Sequence, residues 1–261
     1  SKVKYIRTTM GPKTIEDITK ETYIADQSFP LTSLPCEHII HNITEYLQKN
    51  NSILDSKDRI SLSNLSIIRN NPLIIYQNLY FEPDIKSISN ELDLTKKYNC
   101  GLICDVTNQK YHQNKELLKK VQTVCKINIC FGQSLDYSKA KSNLKKYSND
   151  LQYLIIYGDE SELESDKIIP GFIGEELIDQ EFDMNKNEYK DKVDLYQMVI
   201  NDLVNKYGIP FLLKLLGKQK YKSTNTIIDF FNKNKITDKQ KLVFILSIGA
   251  SSSRLMIDEE L

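Results

Sequence analysis

Short apolar runs, most of them preceded or followed by a helical pattern, constrain the fold of this chain more than any other feature. The runs lack apolar and polar alternation, which is typical of strands buried on both faces of a parallel sheet. They lie at residues 22–26, 100–106, 126–132, 168–175, 209–215 and 241–249. Apolar residues at helical spacing occupy most of the intervals, at residues 88–98, 112–125, 189–208 and 224–235. The pattern predicts an α/β fold, either a (β/α)₈ barrel or a doubly wound sheet.

The length of 261 residues suits one barrel domain, which typically needs about 250 residues. We predict a single domain over residues 1–261, with an excursion at residues 36–80 that begins with a helical segment, CEHIIHNITEYLQKN. In the helix after the second strand, the spacing predicts a buried face of Leu117, Leu118, Val121 and Val124. Only one helix fits between the last two strands, so we expect an incomplete or open barrel, a barrel closed by a partner chain, or further residues beyond those given.

Charge and cysteine content narrow the class of protein. Lysine plus arginine and aspartate plus glutamate both number 35, so no overall field attracts nucleic acid or a membrane surface. Five cysteines, several within apolar runs, favour reduced thiols and a cytoplasmic protein. No apolar run reaches the roughly 18 residues of a membrane-spanning helix, and the first residues do not form a signal peptide.

The common catalytic motifs are missing from the sequence. It contains no G-x-G-x-x-G, no G-x-x-x-x-G-K-[ST], no G-x-S-x-G and no C-x-x-C. The serine-rich stretch at residues 247–255 is interpreted as a loop after a strand. Two apolar strands, IIPGFIGE and IPFLLKL, instead end on the opposite charges of Glu175 and Lys214.

The serial order of segments resembles the phosphotriesterase-related family of the amidohydrolase superfamily. RTTMGPKTIEDITKETYIADQ is similar to the start of that family, and IIPGFIGEE and YGIPFLLKL are similar to its fourth and fifth strands. KLVFILSIGASSSRLM resembles the region of its eighth strand. The resemblance implies a (β/α)₈ barrel, two zinc-like divalent metals at the carboxyl ends of the strands, and hydrolysis of ester, amide or phosphoester bonds.

Carried onto this sequence, most of the implied metal ligands are replaced. The family's H-E-H signature falls on Ala25, Asp26 and Gln27, its fifth-strand histidine on Lys214 and its eighth-strand aspartate near Ile248. The bridging carboxylate alone remains, as Glu175. The implied site needs four histidines, whereas the sequence has three. We therefore predict a degenerate member without metals, which acts as a scaffold or interaction subunit for a protein partner or a second copy.

A second placement of the signature remains open. The segment SLPCEHI, residues 33–39, puts Cys36, Glu37 and His38 in register after an insertion of about a dozen residues. His38 and His41 would then be three apart on a helix, a spacing that can hold a metal but that more often marks an amphipathic surface. His112 is interpreted as a loop residue.

Three hypotheses follow for the site itself. In the first, Lys214 stands in place of a metal ligand and neutralises Glu175 as an ion pair. In the second, Glu175, Asp26 and Asp105 hold one oxygen-loving cation and the protein is still a hydrolase. In the third, Lys214, Glu175, Gln27 and Asp26 line a pocket for a small ligand.

Overall fold

The computed structural model describes residues 5–22, 31–40, 42–48, 54–80, 84–109, 113–159, 167–178, 186–215 and 242–246. The chain divides into two compact units. The first contains residues 1–15 and 130–261, and the second contains residues 16–129.

The described elements alternate between strands and helices over most of the chain. The strands are β1 Tyr5–Thr8, β2 Gly11–Thr14, β3 Thr32–Glu37, β4 Cys100–Asp105, β5 Asn128–Gln133, β6 Phe172–Ile178, β7 Phe211–Leu215 and β8 Leu242–Leu246. The helices are α1 Ile15–Glu21, α2 Leu65–Asn70, α3 Tyr76–Leu79, α4 Ile85–Lys96, α5 Lys115–Cys125, α6 Tyr137–Ser142, α7 Leu144–Tyr157, α8 Lys190–Met198 and α9 Asn205–Tyr207. A π-helical stretch, Val199–Val204, joins α8 to α9.

In the first unit, a parallel sheet carries the strands from β5 to β8. Parallel pairing joins β5 to β6, β6 to β7, and β7 to β8. The register between β6 and β7 shifts between Ile173 and Glu176, an irregularity in the middle of β6 that includes the charged residue Glu175. The short hairpin of β1 and β2 is antiparallel and belongs to the same unit.

Helices α7 and α8 supply the other half of the core of the first unit. Their buried residues pack with those of the sheet into one cluster that includes Leu151, Ile155, Leu195, Ile173 and Phe211. Helix α7 begins where the side chain of Asn143 accepts a hydrogen bond from the backbone N–H of Lys146, and it ends at Gly158, whose φ is 78°. These signals explain why a long helix forms here, although no sequence-based prediction was made for it.

In the second unit, β3 and β4 pair in parallel, and α4 lies between them in sequence. Helix α4 begins at the side chain of Asp84, which accepts bonds from the backbone of Lys86 and Ser87. A buried amide network ties α5 to the start of β5: Gln122 Oε1 accepts from the N–H of Ile129 at 2.8 Å, and Gln122 Nε2 contacts Asn128 Oδ1 at 3.3 Å. These bonds satisfy polar groups that burial would otherwise leave unpaired.

The predicted fold class is confirmed, because the chain is an α/β protein of open TIM-barrel-like type with parallel strands. Five of the predicted strands match β4 to β8 within a few residues. Helices α4, α5 and α8 match the patterns at residues 88–98, 112–125 and 189–208. The helix predicted at residues 224–235 lies outside the described residues.

Two local predictions are wrong, and a third lies almost wholly outside the described residues. Of the strand predicted at residues 22–26, only Thr22 is described, directly after helix α1 ends at Glu21, and the first parallel strand that the structure describes is β3. Where the structure describes the segment predicted as helical from residue 36, it has the end of β3 and a 3₁₀ turn at Thr44–Tyr46 instead of an α-helix. β-branched residues, which disfavour helices, are frequent in this segment. On α5, Val124 is 54% exposed, and the buried face consists of Leu118, Val121, Gln122 and Cys125.

Residues 54–80 carry a small core of their own, in which Ile68, Ile74 and Ile75 are buried together. The rest of the predicted excursion, at residues 36–80, is described only in parts, so the prediction that this segment is an excursion from the barrel stays a prediction. Among the helices that the structure describes, none has the length and apolar character needed to cross a membrane.

Candidate functional site

The opposite charges predicted at the ends of two strands form an ion pair. Lys214 Nζ lies 3.0 Å from Glu175 Oε1. The Glu175 side chain is 8% exposed and that of Lys214 is 21% exposed, so the pair is largely shielded from solvent. The backbone explains how the two side chains meet, since Lys214 is paired with Leu177, two residues beyond Glu175 on the neighbouring parallel strand.

The two residues do not fit the metal site that the family resemblance implies. A bridging carboxylate must offer its oxygens to two cations, but Oε1 of Glu175 already accepts from an ammonium group. A protonated lysine has three donors and no lone pair with which to ligate a metal. The chemistry of this donor set therefore favours an ion pair over a dinuclear cluster.

A second group of polar residues lies at the end of β4 in the second unit. Asp105 is 1% exposed, and its carboxylate accepts hydrogen bonds from the backbone N–H groups of Ile39 at 2.9 Å and Thr107 at 3.0 Å. The Thr107 hydroxyl contacts Nδ1 of His38 at 3.3 Å. Asp105 thus fixes the segment after β3, the one that carries His38.

Burial raises the pKa of Asp105 to about 6, although the hydrogen bonds from Ile39 and Thr107 act in the opposite direction. Desolvation is the largest of these effects because the carboxylate lies among buried strand residues. Asp105 was considered as a metal ligand from the sequence. In the structure its oxygens are occupied by backbone donors, which indicates a structural role.

Replacing Asp105 with asparagine is expected to destabilise the protein by about 1 to 3 kcal/mol. The amide of Asp105→Asn offers one acceptor oxygen, so the N–H of Ile39 or of Thr107 loses its partner. Urea unfolding measures the loss, with Asp93→Asn as the control because the Asp93 side chain is 55% exposed. Equal stability of the two variants would contradict the structural role.

A third polar group was missed by the sequence reasoning, although Glu176 follows Glu175 inside an apolar strand. Glu176 is 5% exposed and accepts hydrogen bonds from the hydroxyl of Tyr137 and from the backbone N–H of Leu135. The Tyr137 hydroxyl also contacts that of Tyr196 at 3.4 Å, and Lys192 Nζ lies 5.9 Å from the Tyr137 ring centroid. The signal that could have revealed this group is Glu176 itself, a second glutamate next to Glu175 in an otherwise apolar run.

Burial raises the pKa of Glu176 to about 7, while the hydrogen bonds from Tyr137 and Leu135 and the charge of Lys192 lower it. Burial likewise raises the pKa of Tyr137, and the neighbouring Glu176 raises it further. The protonated form of Glu176 is therefore favoured in the folded protein relative to the unfolded chain, whose reference pKa is 4.5. Protonated Glu176 therefore adds to the free energy of unfolding. This contribution has its full value below pH 4.5 and is lost as the pH rises through 7.

Between pH 5 and pH 8, the wild type is expected to lose roughly 2 to 3 kcal/mol of unfolding free energy relative to Glu176→Gln. The glutamine resembles the protonated acid, because it keeps an acceptor for Leu135 and a donor for Tyr137. Urea unfolding at several pH values measures the difference. Glu188→Gln is the control, since the Glu188 side chain is 63% exposed. Parallel pH curves for wild type and Glu176→Gln would contradict the effect of burial.

The other residues predicted for the site fall partly outside the described residues. Those outside are Ala25, Asp26, Gln27, His41, His112 and Ile248. The roles assigned to them stay predictions. For the second placement, the required strand exists as β3, which includes Cys36 and Glu37, and His38 follows it directly. His38 does not lie on a helix, so the helical spacing proposed for His38 and His41 is wrong.

The chain resembles known proteins in structure but not in sequence. No protein-family model matches the chain, and no curated protein sequence matches it. A resiniferatoxin-binding protein from Rhodobacter sphaeroides is similar over 92% of this chain and 62% of its own, with a TM-score of 0.67 and 14% identity. A variant of organophosphorus hydrolase from Deinococcus radiodurans is similar over 93% of this chain and 61% of its own, with a TM-score of 0.57 and 12% identity.

A third solved structure is an organophosphate hydrolase engineered from a weak promiscuous lactonase, with a TM-score of 0.57 and 12% identity over 92% of this chain and 62% of its own. Identities this low show the fold alone. Two of these neighbours carry the names of enzymes that hydrolyse organophosphates and one that of a binding protein, so what the chain shares with them is an open TIM-barrel-like fold. It spans about three fifths of the length of these neighbours, 61% to 62%.

Proposed function

We propose that this protein is a metal-free relative of the phosphotriesterase-like hydrolases and acts as a scaffold or interaction subunit. The observation that carries the proposal is the contact of 3.0 Å between Lys214 Nζ and Glu175 Oε1. In a dinuclear hydrolase the corresponding carboxylate would neutralise two cations and help them to activate a shared water. Here one ammonium group neutralises the carboxylate instead.

Electrostatics argue against a cation beside this pair. Two unit charges 4 Å apart interact by about 4 kcal/mol at an effective dielectric constant of about 20. A divalent ion on Glu175 at such a distance would meet about twice that repulsion from Lys214, and the low exposure of both side chains limits screening by solvent. Loss of the lysine proton would relieve the repulsion, but it would also leave the carboxylate without its cationic partner.

The non-catalytic role rests on two further observations. One structural neighbour carries the name of a binding protein rather than of a hydrolase. The balance of 35 basic and 35 acidic residues favours a protein partner or a second copy over nucleic acid.

Metal analysis tests the proposal directly. The purified protein, expressed with added zinc and manganese, is expected to contain far less than one transition metal per chain by mass spectrometry. Hydrolysis of a phosphotriester and of a lactone is expected at the rate of buffer alone, with an organophosphorus hydrolase assayed in parallel. Stoichiometric metal that is lost in Glu175→Gln, but retained in the surface variant Glu188→Gln, would overturn the proposal.

The same measurements separate the alternative functions. A hydrolase with an altered, carboxylate-rich site would be stabilised in thermal unfolding by magnesium or manganese, and the stabilisation would disappear in Glu175→Gln. The scaffold is expected to show no such shift. A small-ligand pocket at Glu175 and Lys214 would instead respond to an organic ligand in the absence of metal.

A further inference from the structure

A cleft of about 300 Å³ lies within the second unit, against strands β3 and β4 and helix α4. This volume is at the lower end of the range for small-molecule sites, which is about 300 to 1,000 Å³. The cleft has an apolar wall and an acidic part. The apolar wall consists of Leu34, Ile88, Leu92 and Ile103. The acidic part consists of Glu37 and Glu91.

The apolar wall comes from all three elements. Ile88 and Ile103 are 3% and 0% exposed, so they belong to the packed core and hold the floor of the cleft in place. Leu34 and Leu92 are half-buried and keep part of their apolar surface available. A hydrocarbon group placed here would remove apolar surface from water on both sides of the contact.

The acidic part consists of carboxylates without a cationic partner among the described residues. Glu37 is half-buried at the end of β3, and Glu91 is exposed on α4. Within the described part of the chain, neither side chain takes part in a hydrogen bond or an ion pair. Lys96 of the same helix is bonded to Asp93 at 2.6 Å.

We propose that this cleft binds a small organic cation, namely an alkyl or arylalkyl ammonium whose charge lies at Glu37 and Glu91. The apolar body of such a ligand would contact Leu34 and Leu92, the two residues of the wall that keep accessible apolar surface. An anion would meet two negative charges, and a neutral ligand would cover the half-buried carboxylate of Glu37 without supplying a cation. A bare metal ion would leave the apolar wall unused, and the described residues contain no cluster of three metal-ligating side chains.

This site is independent of the metal-free role proposed above. It uses residues of the second unit and neither Glu175 nor Lys214. Loss of one function would therefore leave the other intact. The His38 side chain also borders the cleft, and its contact with Thr107 orients the imidazole there.

A matched series of probes tests the proposal by titration calorimetry. Hexylamine, hexanol and hexanoate share one apolar chain and differ in the charge of the head group. Hexylamine at neutral pH is expected to bind about tenfold more tightly than hexanol, because its ammonium group can form charged hydrogen bonds with Glu37 and Glu91. Hexanoate is expected to bind more weakly than hexanol because Glu37 and Glu91 repel it.

Variants place the binding in the cleft. The double variant Glu37→Gln/Glu91→Gln is expected to reduce hexylamine affinity by about tenfold or more and to leave hexanol affinity unchanged. Glu116→Gln, which removes an exposed carboxylate of α5 outside the cleft, is the matched control and is expected to bind like the wild type. Amide NMR shifts on adding hexylamine are expected in β3 and α4.

Three results would overturn the proposal. The first is equal affinity for the three probes, and the second is unchanged hexylamine affinity in a folded Glu37→Gln/Glu91→Gln protein. The third is the absence of any titration heat or amide shift from hexylamine at saturating concentration. Far-ultraviolet circular dichroism of each variant excludes misfolding as the cause of lost binding.

Discussion

Lys214→Met is expected to destabilise the protein by about 3 to 5 kcal/mol, the loss typical of a buried ion pair that is broken by removing one partner. Methionine keeps much of the lysine's length and apolar stem, so packing changes little. What changes is the charge balance, because the carboxylate of Glu175 is 8% exposed and loses the ammonium group at 3.0 Å. Urea unfolding at pH 7 measures the loss.

The structure offers a control with nearly identical geometry and different burial. Lys141 Nζ lies 3.1 Å from Asp191 Oδ2, but these side chains are 76% and 62% exposed. Lys141→Met is expected to change stability by about 1 kcal/mol or less, as is usual for surface pairs. The contrast between Lys214→Met and Lys141→Met therefore isolates burial from distance.

A double variant separates the lost charge balance from lost packing. Glu175→Gln/Lys214→Met removes both charges and is expected to recover at least about half of the stability lost in Lys214→Met alone. Equal stabilities of the single and double variants would mean that the methionine, rather than the loss of the ammonium group beside Glu175, causes the loss of stability. A loss in Lys214→Met no larger than in Lys141→Met would contradict the shielding of the pair.

The ion pair shows how far the sequence could predict the site. A charge in each of two apolar strands is unusual enough to be noticed, and adjacent parallel strands bring such charges together, so the meeting of Glu175 and Lys214 was predictable. The predicted strand end was not correct, because β6 continues past Glu175 to Ile178. The bonds of Glu176 to Tyr137 and Leu135 were not. Alternation along a strand sends Glu176 to the other face from Glu175, but the partners there come from a segment about forty residues away.

Strand β3 shows why a strand cannot always be predicted from its own sequence. Its sequence, TSLPCE, contains a proline and few β-branched residues, so its local composition does not mark it as a strand. Pairing with β4 decides the outcome: Leu34 lies opposite Ile103 and Glu37 opposite Asp105, with register shifts around Pro35. Such tertiary pairing overrides local preference and is invisible in a single sequence.

Position 174 is expected to tolerate no side chain, and Gly174→Ala should destabilise the protein by about 4 kcal/mol or more. Gly174 has a φ of 104°, and a Cβ there would lie 2.4 Å from the carbonyl oxygen of Leu212 on the neighbouring strand. The methyl group therefore meets backbone, which cannot move aside without disturbing the pairing of β6 with β7. Thermal and urea unfolding measure the effect.

Gly11 provides the control for the backbone contribution to this loss. Its φ is 100°, close to that of Gly174, but a Cβ at Gly11 would meet nothing within 4 Å. Gly11→Ala thus tests the positive φ alone and is expected to cost about 1 to 3 kcal/mol. The amount by which Gly174→Ala lowers stability more than Gly11→Ala measures the steric clash between β6 and β7, the strands that carry Glu175 and Lys214. Similar losses at the two glycines would mean that β6 and β7 lie farther apart than the structure places them.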